Sequence, residues 1–141
     1  MNQNLILLPV FAQVLVTVAV LVIMGGRRRT ALVSKATRIK DIALGQDAWP
    51  VDATKAANNF SNQFEIPVLF YAVSAFALVT KSVDAWMLGF AALFVVARAV
   101  HATIHLGGNV VMNRAYAYFV SVGAVLGMWV LLMVRTFTIP V

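Results

Sequence analysis

The chain has no cysteine, only four prolines, and only five acidic residues among its 141. Without cysteine there is no disulfide framework, no protein thiol nucleophile and no thiolate metal site, although the redox compartment stays open. Charge is scarce altogether, at 11% of residues, less than half of the roughly 25% carried by soluble domains. That deficit excludes a water-facing globule, a soluble enzyme and a disordered tail, and the length excludes two ordinary domains. What the chain has instead is apolar sequence, 62% of its residues. A bilayer-spanning helix needs about 20 such residues, so four spans account for nearly all of them. The composition describes a small all-α, polytopic membrane protein.

The net charge of +6 could suggest a nucleic-acid partner, but position argues against it. Seven of the eleven basic residues (Arg27, Arg28, Arg29, Lys35, Arg38, Lys40, Lys55) crowd into residues 27–55, together with Asp41, Asp47 and Asp52. A basic loop beside an apolar segment is a topology signal, and no nucleic-acid partner is expected. The positive-inside rule puts both termini outside and the 27–55 and 107–112 loops in the cytoplasm.

Residues 5–26 carry no charge, and Gln13 is their one strongly polar side chain. No Lys or Arg precedes them, so the basic start of a cleavable signal peptide is missing; Gly25-Gly26 is the expected stop of this first span. A loop follows to Trp49-Pro50, with Asp52 as expected N-cap of the second helix. That span covers about 55–79, starts with polar turns and is expected to kink at Pro67. Thr80–Asp84 connects to a third span over 85–106, which Gly107-Gly108 ends, and a fourth runs over 113–135. Gly123 and Gly127 form a small-xxx-small pair suited to close helix contact in lipid. The whole is a single domain, an up-down bundle of four transmembrane helices.

Ionisable groups inside spans are costly and are functional candidates by default. Here they are Glu65, Arg98, His101, His105 and Arg114, with Asn58, Asn59 and Asn62 nearby. At about 1.5 Å per residue, Arg98, His101 and His105 lie roughly 20, 24 and 30 Å down the third helix. Arg114 opens the fourth helix at that same cytoplasmic end, and Glu65 sits just inside the cytoplasmic end of the second. Arg98, His101 and His105 fall at i, i+3 and i+7, one helical face; Asn58, Asn62 and Glu65 repeat the pattern on the second helix. The two polar faces are expected to meet. A Glu65–Arg98 ion pair that only fixes helix register is one reading. The excess of cations around a single carboxylate favours another, a cavity for an anionic ligand. The i, i+4 histidines also match a metal spacing with Glu65 as third ligand, but flanking arginines oppose a cation there, and no metal is expected. The aromatic side chains are mostly packing residues; Tyr118 stands out, one turn after Arg114 on the same face.

The stretch ARAVHATIHL (97–106) followed by NRAYAYFVSVG (113–123) resembles the third- and fourth-helix signature of the MAPEG family, membrane-associated proteins in eicosanoid and glutathione metabolism. Arg98, His101, position 105 and Arg114 fit its offsets without a gap. Asn62-Gln-Phe-Glu65, followed by Pro67, resembles its Asn-x-x-Glu on the second helix. The resemblance covers about residues 55–135. It implies a homotrimer of four-helix protomers that binds glutathione between adjacent protomers near the cytoplasmic face. Asn62, Glu65 and Arg98 would then hold the tripeptide's carboxylates and amino group, alongside His101 and His105, and Arg28 of the 27–29 cluster would reach a carboxylate. Arg114 would stabilise the thiolate, with Tyr118 an auxiliary donor. Three features depart from the pattern: position 105 is His where glutathione-binding members have Tyr, Ala115 stands where one branch has serine, and Asn58 and Phe60 replace an Arg and a His.

The resemblance implies a glutathione-transferase-like enzyme acting on lipophilic electrophiles or hydroperoxides that arrive through the bilayer, with membrane lipids as neighbours. A non-catalytic membrane protein using the same cationic cavity for a lipid or other anionic ligand is the alternative. A small transporter with Glu65 as proton relay is a third, opposed by the cations beside that carboxylate. The short loops and the ending Thr138-Ile139-Pro140-Val141, which is no retention signal, point to a bacterial inner membrane.

Overall fold

In a computed structural model, which describes residues 1–43, 45 and 47–138, every regular element among the described residues is helical. Five α-helices, α1 (Leu7–Val33), α2 (Val51–Ser61), α3 (Ile66–Val79), α4 (Ala85–Leu106) and α5 (Val111–Thr138), build the bundle. They make four stretches long and apolar enough to cross a membrane: Gln3–Val33, Val51–Val79, Ala85–Leu106 and Val111–Thr138. The terminal residues 139–141, read above for a retention signal, lie outside the described ones.

Helix α1 does not stop at Gly25-Gly26 but continues to Val33, so Arg27, Arg28 and Arg29 sit on the helix rather than in a loop. A glycine costs a helix only about 1 kcal/mol relative to alanine, and near lipid a broken helix would leave backbone groups unsatisfied. Two of the arginines then work inside the fold. Arg27 donates to the carbonyls of Leu106 (2.8 Å) and Asp52 (3.0 Å), tying α1 to the end of α4 and the start of α2. Arg28 lies over the Trp49 ring at 5.0 Å. The helix ends at Ser34, after which Lys35 takes a left-handed φ of 57°.

Pro50, not Asp52, is the N-cap of α2; Asp52 lies in the first turn, where its charge favours the positive end of the helix dipole. The second span is not one kinked helix. A 3-10 turn over Asn62–Phe64 and an irregular Glu65 (φ −94°, ψ −100°) separate α2 from α3, and Pro67 sits at the start of α3. Pro67 has no N–H for the carbonyl of residue 63, and its ring crowds that carbonyl, so the ladder breaks one turn upstream. The break also removes the shared face expected for Asn58, Asn62 and Glu65: Asn58 and Glu65 are exposed and Asn62 is half-buried.

The connection Thr80–Asp84 turns at Lys81 (φ 54°), and the Asp84 carboxylate caps α4 by accepting the Met87 N–H at 2.8 Å. Arg135 of α5 pairs with Asp84, and Gln3 bonds both backbone groups of Val83, which fastens this end of the bundle. Burial alone would raise the Asp84 carboxyl, but the Arg135 guanidinium and the Met87 and Trp86 N–H groups hold it below its usual value. Helix α4 ends at Gly107, and Asn109 adopts φ 51° before α5 begins.

Helix α4 packs most extensively on α5. A Cβ on Gly127 would lie 2.9 Å from the Phe90 ring, so this glycine makes a close helix contact; Gly123 of the same pair faces open space. The apolar core, including Ile6, Phe70, Val73, Met87, Phe94, Val125 and Met128, fills the half where α1 begins and α5 ends. Phe70 stacks on Phe94 at 4.4 Å. The other half holds the buried polar side chains Gln13, Asn59, Gln63, Arg98, His101, His105 and Ser121, and the candidate site lies there.

Candidate functional site

The face expected on α4 is present: Arg98, His101 and His105 are all buried against the neighbouring helices. Arg98 is 0% exposed. Its Nη2 donates to the Asn62 carbonyl at 2.7 Å, while Nε and Nη1 meet no protein acceptor. That carbonyl is available because the helix breaks at Asn62. A ladder carbonyl in mid-helix would already be engaged by the residue four positions on.

Arg114 sits in the first turn of α5, where Nη1 donates to Asn109 Oδ1 at 2.7 Å. The left-handed backbone of Asn109 suits this short amide side chain and holds the arginine's direction. One turn further, Tyr118 lies 6.0 Å from the His101 ring, and His101 lies 5.7 Å from His105. Asn62, His101, Arg114 and Tyr118 together line a cavity of about 240 Å³, completed by Val111, Ala115 and Phe119. Its wall thus offers an arginine, an imidazole, a phenol and an amide, with three apolar side chains beside them.

The other expected residues stand apart from that wall. Arg98 and His105 are buried beside it, Glu65 is exposed, and Arg28 is held over Trp49. Among the described residues the ion pairs are Arg38–Asp41, Lys55–Asp52 and Arg135–Asp84, so the register-fixing pair of Glu65 with Arg98 is not formed. No three His, Cys, Asp or Glu side chains converge on a metal-sized point among those residues.

What sequence reasoning does not foresee is a chain of buried amides, for it gives Gln63 no role and Gln13 and Asn59 no partner. Gln13 of α1, 0% exposed, donates to Gln63 Oε1 at 3.1 Å; Gln63 donates to Asn59 Oδ1 at 3.1 Å; Asn59 donates to the Ala102 carbonyl at 3.0 Å. The one available signal was Gln13, an isolated amide in an otherwise apolar span, which implies a partner on a facing helix.

The family model described as "MAPEG family" matches residues 6–134, so the match includes α1 as well as the motif-bearing helices. Neither the curated proteins nor the solved structures contain a match to this chain.

Proposed function

The chain belongs to the MAPEG family, and from that premise we propose that it is a membrane-bound glutathione-transferase-like enzyme. The family is associated with glutathione and eicosanoid metabolism at membranes; the particular activity is our reading of the site. The observation that carries it is the convergence of Asn62, His101, Arg114 and Tyr118 on one cavity in the polar half of the bundle. A cation beside a thiol favours the thiolate, which is the reactive nucleophile. Arg114, braced by Asn109, is the thiolate stabiliser in this scheme, and Tyr118 is a neighbouring donor. Arg98, buried behind the wall, adds positive potential for the tripeptide's carboxylates without touching the cavity surface. With an aryl chloride, the thiolate sulfur forms a bond to the ring carbon, chloride leaves with the bonding electrons, and the thiol proton passes to solvent.

The cavity is smaller than the roughly 300 Å³ at which ligand pockets begin, and it is open to one side. A second copy of the chain would enlarge it, and in this scheme the working form is a homotrimer with glutathione between protomers. Glu65, exposed at the helix break, faces outward where a neighbouring copy or its ligand could use it. Lipophilic co-substrates would arrive from the bilayer past Val111 and Phe119. Both termini lie outside and the basic segment in the cytoplasm, on the charge pattern alone.

Replacement of Arg114 by alanine tests the scheme. Conjugation of glutathione to a lipophilic aryl chloride should be lost while the assembled protein persists; unchanged turnover would sink the assignment. The Ala115 position favours a second reading, since it places a methyl group in the cavity wall where one branch of the family has a serine. On that reading the protein binds an anionic ligand without catalysis. A thermal-shift titration separates the two, because a true ligand at 100 times its dissociation constant stabilises by about 2.7 kcal/mol. No shift with millimolar glutathione would favour the second.

A further inference from the structure

We infer that Gln13, Asn59 and Gln63 form a carboxamide latch that holds the α2–α3 break in register, and through the Asn62 carbonyl positions Arg98 behind the cavity. The three side chains are 0%, 0% and 1% exposed, and they join three helices through one chain of bonds. Gln13 on α1 donates to Gln63 (3.1 Å), Gln63 donates to both the side-chain oxygen (3.1 Å) and the carbonyl (3.3 Å) of Asn59, and Asn59 donates to the Ala102 carbonyl on α4 (3.0 Å).

The placement of Gln63 gives the latch its reach. It is the middle residue of the 3-10 turn Asn62–Phe64, directly after the carbonyl that accepts the Arg98 bond (2.7 Å) and two residues before the irregular Glu65. Proline at 67 interrupts the α-helical ladder here, so only a short 3-10 turn fixes the backbone. Two bonds back to Asn59 and one across to α1 supply that definition instead. The far end of the latch grips the Ala102 carbonyl, next to His101 of the cavity wall. Both sides of the site, Asn62 on the break and His101 on α4, are therefore referred to the same three amides. Burying unpaired amides in lipid-surrounded protein is costly, so these bonds hold the three side chains in place, although Gln13 Oε1 itself is buried without a protein partner. Gln13, Asn59 and Gln63 are positioning residues in this account, since none lines the cavity.

The consequence for ligand affinity rests on the reading that the cavity takes glutathione. Interhelical hydrogen bonds in membrane proteins correspond to about threefold to tenfold in an equilibrium constant. Gln63→Met, close in volume, should therefore weaken glutathione binding by about that factor, while turnover at saturation changes by less than about twofold. Gln13→Met removes only the outer bond and should show a smaller loss. The double variant should be no worse than Gln63→Met alone, because the two share one bond. Amide exchange read by mass spectrometry on the detergent-solubilised protein should quicken over residues 59–68 in Gln63→Met and stay unchanged in α5.

Glutathione affinity within twofold of wild type in a folded Gln63→Met protein would overturn the latch, as would additive losses or exchange that rises evenly along the chain. If Gln63→Met does not fold, Gln13→Met carries the same comparison at smaller amplitude. If the wild-type protein binds no glutathione, the functional reading fails by itself. The exchange over 59–68 then decides the latch: faster exchange supports it and unchanged exchange overturns it.

Discussion

Replacing Arg98 by methionine is expected to stabilise the ligand-free protein and to remove its response to glutathione. Arg98 is 0% exposed and has one bond, to the Asn62 carbonyl at 2.7 Å, while Nε and Nη1 face no protein acceptor. A hydrogen bond from a charged group contributes about 1.5–3 kcal/mol, and each unpaired buried donor costs about 1–3 kcal/mol. Two such donors together cost about 2–6 kcal/mol, which at mid-range outweighs the one bond by about 2 kcal/mol. Exchanging buried ionic groups for apolar side chains of similar volume commonly stabilises by about 1–4 kcal/mol, so two independent estimates agree in sign. The assay is reversible unfolding in a fixed detergent, with and without millimolar glutathione. The methionine variant should unfold at higher denaturant concentration than wild type and show no further shift with glutathione. A variant less stable than wild type would refute the reasoning, because it would mean that the cation is already compensated within the protein.

Further expectations follow from the packing and the ends of the bundle. Gly127→Ala places a Cβ 2.9 Å from the Phe90 ring; overpacking costs about 1–3 kcal/mol, and the mobile ring favours the lower end. Gly123→Ala meets open space and should leave the unfolding midpoint unchanged. Phe70→Ala removes a ring stacked at 4.4 Å on Phe94. Lipid is as apolar as the core, so the cavity and the lost ring contact dominate the cost, and a loss of about 2–4 kcal/mol is expected by denaturant titration. Asp84 has a depressed carboxyl pKa through Arg135 and the α4 N–H groups. Its contribution is thus present above the ordinary carboxylate value of about 3.9 and lost as pH falls through the lower folded value. Asp84→Asn should lower the midpoint at neutral pH and flatten its decline below pH 4, as followed by circular dichroism.

The four spans and the α4 face were legible because both rest on strong periodic signals: long apolar runs, and Arg98, His101 and His105 at i, i+3 and i+7. That Arg114 and Tyr118 line one cavity followed from their spacing of one turn on the fourth span. What escaped was governed by weaker or longer-range terms. Gly25-Gly26 looked like a stop, but two glycines cost less than a broken helix near lipid, and Arg27 and Arg28 find partners only when they ride on α1. Pro67 signalled a disturbance correctly. Its form, a 3-10 turn one turn upstream, depends on Gln63 finding Asn59 and Gln13. Gln13 and Gln63 are fifty residues apart, and an amide gives no sign in sequence of which helix it will face. For that reason Asn58 and Glu65 of the second span, expected inward, are exposed, and the residues that turned inward are their neighbours Asn59 and Gln63.

The central claim is that Arg114 stabilises a glutathione thiolate in the cavity it shares with Asn62, His101 and Tyr118. Ultraviolet difference absorbance of bound glutathione at pH 7 tests it directly, since a free thiol with a pKa of about 8.5 is largely protonated there. The wild-type protein should show a thiolate band on titration with glutathione, and Arg114→Ala, assembled and folded, should show none. Equal bands in both proteins, or no band in the wild type under saturating glutathione, would contradict the account.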